Sequence, residues 1–171
     1  MLTFIGAVLI VGATTYFGLS AFWRLKLRVV VLEQLIFAVQ HMEREIVGRL
    51  SPLTEVLEHL IVTCNTPVKH FFTRVDDGMR EVGRHSFAHI WSMALYDSEE
   101  LLLKKEERLI LDDLGKALGR YDVEMQQSAL AYAQKRLAGY LKHAQEEKRT
   151  QGKMHATLGV AAGFFVVLIL L

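Results

Sequence analysis

The sequence predicts an all-α protein: a single cytoplasmic helical bundle of about six helices between two transmembrane helices. Three observations predict it. All 20 Lys and Arg and all 19 Asp and Glu lie between Arg24 and Lys153, so both ends lack side-chain charge while the middle is ordinarily charged. Apolar residues in the middle recur at three- and four-residue steps, the period of a helix that buries one face. No strand-like alternation of any length occurs, and the only prolines are Pro52 and Pro67. The division that follows is 2–23 as a first membrane helix, 24–153 as the bundle and 154–171 as a second membrane helix.

Leu2 to Trp23 is uncharged. As a helix it measures roughly 33 Å, enough for a hydrocarbon layer of about 30 Å. It lacks the basic start of a signal peptide and reads as a retained anchor. Arg24, Lys26 and Arg28 follow with no acid before Glu33, which places this end in the cytoplasm and the N-terminus outside. Trp23 suits the interface. The helix continues to about Gly48, with Leu32, Leu35, Ile36, Val39, Met42 and Ile46 on one face. Ser51-Pro52 restarts a helix, serine as cap and proline at the first helical position. Its stripe is Leu53, Val56, Leu57, Leu60 and Ile61, and Asn65-Thr66-Pro67 stops it.

Val68, Phe71, Phe72, Val75 and Met79 form the next stripe; Gly78 and Gly83 loosen the chain before Ser86 caps a short helix carrying Phe87, Ile90, Trp91 and Leu95. After a break at Asp97-Ser98, Leu101 to Leu118 forms a helix with Leu109, Ile110, Leu114 and Leu118 as apolar residues. A long helix then starts at Val123 and meets no proline through Leu171. Its last 16 residues, from Ala156, are uncharged; they make only roughly 24 Å of helix, so Lys153 has to snorkel to the interface. Lys148, Arg149 and Lys153 put the near side of this segment in the cytoplasm, in agreement with the first anchor.

The corner between the last two helices reads Leu-Gly-Lys-Ala-Leu-Gly-Arg-Tyr-Asp-Val-Glu-Met-Gln, Leu114 to Gln126. Gly119 suits a left-handed helix end and Asp122 suits the free amides of the next helix. Gly115 sits one turn earlier, where glycine costs roughly 1 kcal/mol against alanine, so a close neighbour is expected; Ser128 and Ala129 are small enough to admit one. Gln126 is placed to bond the loop carbonyls.

Leu114, Gly115, Leu118, Gly119, Asp122 and Gln126 together resemble the signature of the stage III sporulation protein AB family, and the apolar–polar–apolar layout, Ser51-Pro52-Leu53 and Trp91 extend the resemblance along the chain. That family is similar to the helical-bundle domain of type II secretion platform proteins, which carry two copies of the domain and three spans; this chain has one copy between two. The resemblance implies a non-enzymatic platform in the mother-cell-derived membrane around the forespore, part of a secretion-like sporulation channel. Its implied partners are a cognate ATPase, other membrane proteins of the channel and membrane lipids. Homo-oligomerisation stays open. The alternative, a two-span sensor or scaffold with a helical input domain, would normally place its bundle outside.

Chemistry is scarce. A net charge of +1 gives no one-sided basic field for nucleic acid, and the single Cys64 excludes an intrachain disulfide. His85 and His89 stand one turn apart but lack the glutamate of a zinc-protease motif, and no acid pairs with a histidine in di-iron spacing. Nothing matches a phosphate-binding loop, so the chain is not expected to hydrolyse nucleotide itself, and with those spacings absent no catalytic residue, metal or cofactor is expected. Lys104, Lys105, Arg108, Asp112 and Lys116, on the helix before the corner, are the candidate partner face. Gly159 and Gly163 have the spacing that lets membrane helices touch, with Thr14 and Gly18 as a matching groove.

Overall fold

A computed structural model describes the backbone of residues 2–80, 85–120 and 122–170, and side chains over 16, 19–80, 85–120 and 122–151. Among the described residues the chain is all-α, with six α-helices and no strand. They are α1 (Leu2–Met42), α2 (Leu53–Thr63), α3 (Val68–Arg80), α4 (Phe87–Tyr96), α5 (Lys105–Leu118) and α6 (Val123–Leu170). A π-helical turn, Glu43–Gly48, follows α1, and a 3₁₀ turn, Glu99–Leu101, precedes α5. Two units are distinguished: Met1–Val29 with Lys142–Leu171, and Val30–Leu141.

In the first unit an ion pair joins the two long helices, Arg28 Nη1 donating to Glu147 Oε2 at 2.7 Å. Lys26 Nζ lies 4.9 Å from the Trp23 ring, and Trp23 is exposed. Among the described residues no helix is long and apolar enough to cross a membrane. Most side chains of 2–23, those of 154–171, and the small-residue positions Thr14, Gly18, Gly159 and Gly163 lie outside the described residues, as does Gly83.

The second unit holds the core. Trp91 is its centre: Phe71 meets it edge-on at 4.9 Å between ring centroids, and Phe72 and Phe87 stand 6.2 and 5.7 Å away. Its Nε1–H donates to the Leu111 carbonyl at 2.8 Å, so the indole is buried without stranding its polar atom. α2 packs on α3, α3 on α4 and α4 on α5. The apolar stripes of α2 and α3 face this core through Val56, Leu57, Leu60, Val68, Phe71, Phe72 and Val75.

Several element ends differ from the sequence expectation, each for a local reason. The helix through the first core stripe widens into the π turn, where the Glu45 carbonyl accepts from both Arg49 N and Ser51 N. Ser51 does not cap α2: its hydroxyl donates to Glu45 Oε2 at 3.1 Å, and Pro52 holds the N-cap position. α5 starts at Lys105 and not at Leu101, because Leu102 turns left-handed at φ 53° and Lys104 is extended. The Glu107 carboxylate then takes the Lys104 N–H at 2.7 Å and fixes the start. Leu109 faces out, not in. Ser86 does cap α4, its hydroxyl accepting from His89 N at 3.3 Å.

Candidate functional site

The corner between α5 and α6 is built from the quoted motif. Leu114 and Leu118 are buried anchors of α5. Gly115 is where Trp91 lies: a Cβ there would sit 2.1 Å from Trp91 Cδ1, so no side chain fits. The close neighbour is therefore the indole of α4; Ser128 is exposed and Ala129 half-buried on α6. Gly119 is not left-handed. It leaves the helix at φ −73°, ψ 0°, donating to the Gly115 carbonyl, and the chain turns without the mirror-image backbone. Asp122 Oδ1 accepts from the amides of Glu124 and Met125 at 3.1 and 3.4 Å. Gln126 Nε2 donates to the carbonyls of Leu118, at 3.1 Å, and Arg120, which would otherwise be stranded at the α5 end.

These contacts hold the corner together; they present no acid–base pair and no nucleophile. Gly119 and Gln126 also border an open groove of about 410 Å³, walled by Ile46, Leu50, Met79 and Phe87. Leu50 stands at its rim 72% exposed and at φ 56°. The carboxylate of Glu45 braces this rim through Arg49 and Ser51.

The candidate partner face on α5 is divided by the structure. Lys104, Lys105 and Lys116 are exposed. Arg108 is half-buried and committed to α4: its Nη1 donates to the Leu95 carbonyl at 2.6 Å and its guanidinium stacks 5.7 Å from the Tyr96 ring centroid. Asp112 is buried beneath Lys116 Nζ, 2.8 Å away. Burial pushes its carboxyl up, but hydrogen bonds from Lys116 and Ser92 outweigh that and hold it below the usual aspartate range. Lys116 also reaches Asp113 at 3.1 Å. Sequence reasoning missed Met93 and Tyr96, which stand 52% and 57% exposed beside this face. The signal was available, since both fall off the stripe of Phe87, Ile90, Trp91 and Leu95.

Among the described residues no group of three or more His, Cys, Asp or Glu could hold a metal ion. His85 and His89 lie 4.6 Å apart between ring centroids on the surface, without a third ligand. Cys64 is buried, and burial pushes its thiol up to about 11.

A model of the stage III sporulation protein AB family matches residues 3–171. The chain belongs to that family. It is 30% identical over 172 residues to stage III sporulation protein AB of Bacillus subtilis (strain 168), covering all of both chains. A solved structure of a stage III sporulation protein AB superposes with a TM-score of 0.66 at 24% identity, over 72% of this chain and 98% of that one, which shows the fold. In this member of the stage III sporulation protein AB family the corner motif serves packing and hydrogen bonding.

Proposed function

We propose that this protein is a non-enzymatic platform component of the secretion-like sporulation channel between mother cell and forespore, and that its bundle docks the cognate cytoplasmic ATPase. The observation that carries the reading is the family match along almost the whole chain. Residues 2–23 and 154–171 are the two spans, in the mother-cell-derived membrane, and 24–153 lies in the cytoplasm. The basic residues beside both uncharged ends support that orientation and offer contacts to anionic headgroups. Helices braced by buried hydrogen bonds, such as that from Trp91 to Leu111, suit a rigid surface for a partner. Energy-using steps belong to the ATPase.

The test is affinity purification of the tagged full-length chain from detergent-solubilised membranes of sporulating cells. The ATPase and channel membrane proteins are expected to copurify with it. Their consistent absence, with the tagged chain functional in sporulation, contradicts the reading.

A further inference from the structure

We propose that the stacked ring pair His41–His59 is a pH-sensitive latch, which fastens α2 to α1 while both rings are neutral and releases it in acid. His41 lies near the end of α1 and His59 in the second half of α2. Their rings stack across the contact with 4.5 Å between centroids and 20° between planes. Phe37, one turn earlier on α1, extends the stack, its ring 6.4 Å from that of His41 and 11° from parallel. His41 is 8% exposed, and its Nε2 has no hydrogen-bond partner among the described residues. His59 is exposed, with Nδ1 3.4 Å from the Thr63 hydroxyl. A second tie joins α1 to the chain just past α2, the Asn65 N–H donating to Gln34 Oε1 at 2.8 Å.

Neutral rings suit this place, because stacked aromatic faces bury surface without needing a counter-charge. Protonation makes Nε2 of His41 a charged donor with no acceptor, which is costly out of reach of water. A second proton, on His59, sets like charges in the two stacked rings. The charged groups that bear on His41 give little relief. They are His59 from α2, Arg44 and Glu45 from the π turn, and Arg49 just after it. Glu45, the acid among them, already accepts from Arg49 Nη1 at 2.9 Å and from the Ser51 hydroxyl at 3.1 Å. Glu55 and Glu58 precede His59 on α2 but are exposed, where water weakens their pull. Burial, with His59, Arg44 and Arg49 adding to it, keeps the His41 pKa below the ordinary value of about 6.5. The latch is therefore complete above about pH 6.5 and loosens as pH falls through the lowered value.

Release acts on one part of the bundle. α2 carries Val56, Leu57 and Leu60 into the core and ends at Cys64, the chain's single cysteine, which is buried. The π turn and the Ser51–Pro52 joint lie between the two histidines, so they loosen with α2. The contact of α4 with α5, tied by Trp91 Nε1 to the Leu111 carbonyl, involves neither ring. The device alters how α2 sits without dissolving the fold, and it does not depend on what the bundle docks.

The experiment follows hydrogen exchange of the full-length chain in lipid nanodiscs by mass spectrometry, from about pH 7.5 to about pH 5.5, each rate divided by its intrinsic value. Protection of α2 peptides is expected to fall severalfold in acid while that of α4 and α5 peptides stays constant. Reaction of Cys64 with a pyridyl disulfide, relative to the denatured chain at the same pH, is expected to quicken by the same factor. His41→Phe keeps a stacked ring with no proton to gain and is expected to abolish the response. His59→Phe, at an exposed position where the fold is safe, is expected to reduce it and keeps the test open if His41→Phe does not fold. Constant α2 protection overturns the proposal. So does a parallel fall in α2, α4 and α5, since acid then weakens the whole bundle. A full response in either variant overturns the ring pair as the latch. Stronger α2 protection in acid overturns it as well, since protonated His41 then gains Glu45 and holds α2 more tightly.

Discussion

At Gly115 two effects oppose each other and their sizes decide the outcome. Alanine gains roughly 1 kcal/mol in helix propensity over glycine. Its methyl, however, would lie 2.1 Å from Trp91 Cδ1, against an indole already hemmed in by Phe71, Phe72 and Phe87. Overpacking of a filled core costs about 1–3 kcal/mol, occasionally more, so Gly115→Ala is expected to lower stability by about 2 kcal/mol in chemical denaturation. Gly119 behaves differently: at φ −73° it accepts a side chain, and its nearest neighbour, the Ala88 amide, is 3.4 Å away. Gly119→Ala is expected to change stability by less than about 1 kcal/mol, the signature of a non-left-handed helix end. Leu50 is the reverse case, a leucine at φ 56° with its side chain in the open. Leu50→Gly relieves a left-handed backbone cost of about 1 kcal/mol and is expected to raise the unfolding midpoint.

At the scale of elements, side chains close the gaps that helix ends leave. Asp122→Ala removes the acceptor for two amides at the start of α6 and is expected to cost about 1 kcal/mol in thermal unfolding. Where α1 meets α2, the buried His41 ring stacks on His59 with 4.5 Å between centroids. Burial holds the His41 pKa below the ordinary histidine value, with the nearby His59, Arg44 and Arg49 adding to that and Glu45 opposing it. The folded chain thus binds this proton less tightly than the unfolded chain. The stabilisation is complete above about pH 6.5, the ordinary value, and is lost as pH falls through the lowered folded value. Unfolding midpoints are expected to drop between pH 7 and pH 5, and to drop less in His41→Phe, which keeps a stacked ring without a titrating group. That window lies above the range in which Glu45, Glu100 and Asp112, all held below their ordinary values, begin to protonate.

For the whole molecule, periodicity made the helices and most of the core legible: Leu32, Leu35, Leu57, Phe71, Trp91 and Leu114 are all buried where their stripes put them. Ends were less legible, because a cap is decided by a competing bond. Ser51 prefers the Glu45 carboxylate to the amides of α2, and the left-handed turn at Leu102 delays to Lys105 a helix that the pattern would start at Leu101. The exposed face was half legible. Its charges show in the sequence, but the commitment of Arg108 to the Leu95 carbonyl and the outward turn of Leu109 depend on how α4 packs on α5. Reversing Arg108 would break that packing.

Docking of a cytoplasmic ATPase requires one arrangement, a bundle that faces the cytoplasm between two spans, since otherwise the ATPase could not reach it. Cysteine labelling of the full-length chain in intact cells measures this directly. Cys64 gives little background, being buried with its thiol pushed up to about 11, and Val62→Cys supplies an accessible site in the middle of the bundle. With a second cysteine added at the N-terminus of a separate variant, an impermeant maleimide is expected to label the N-terminal site in intact cells, and the Val62→Cys site only after permeabilisation. Labelling of Val62→Cys in intact cells would contradict the account.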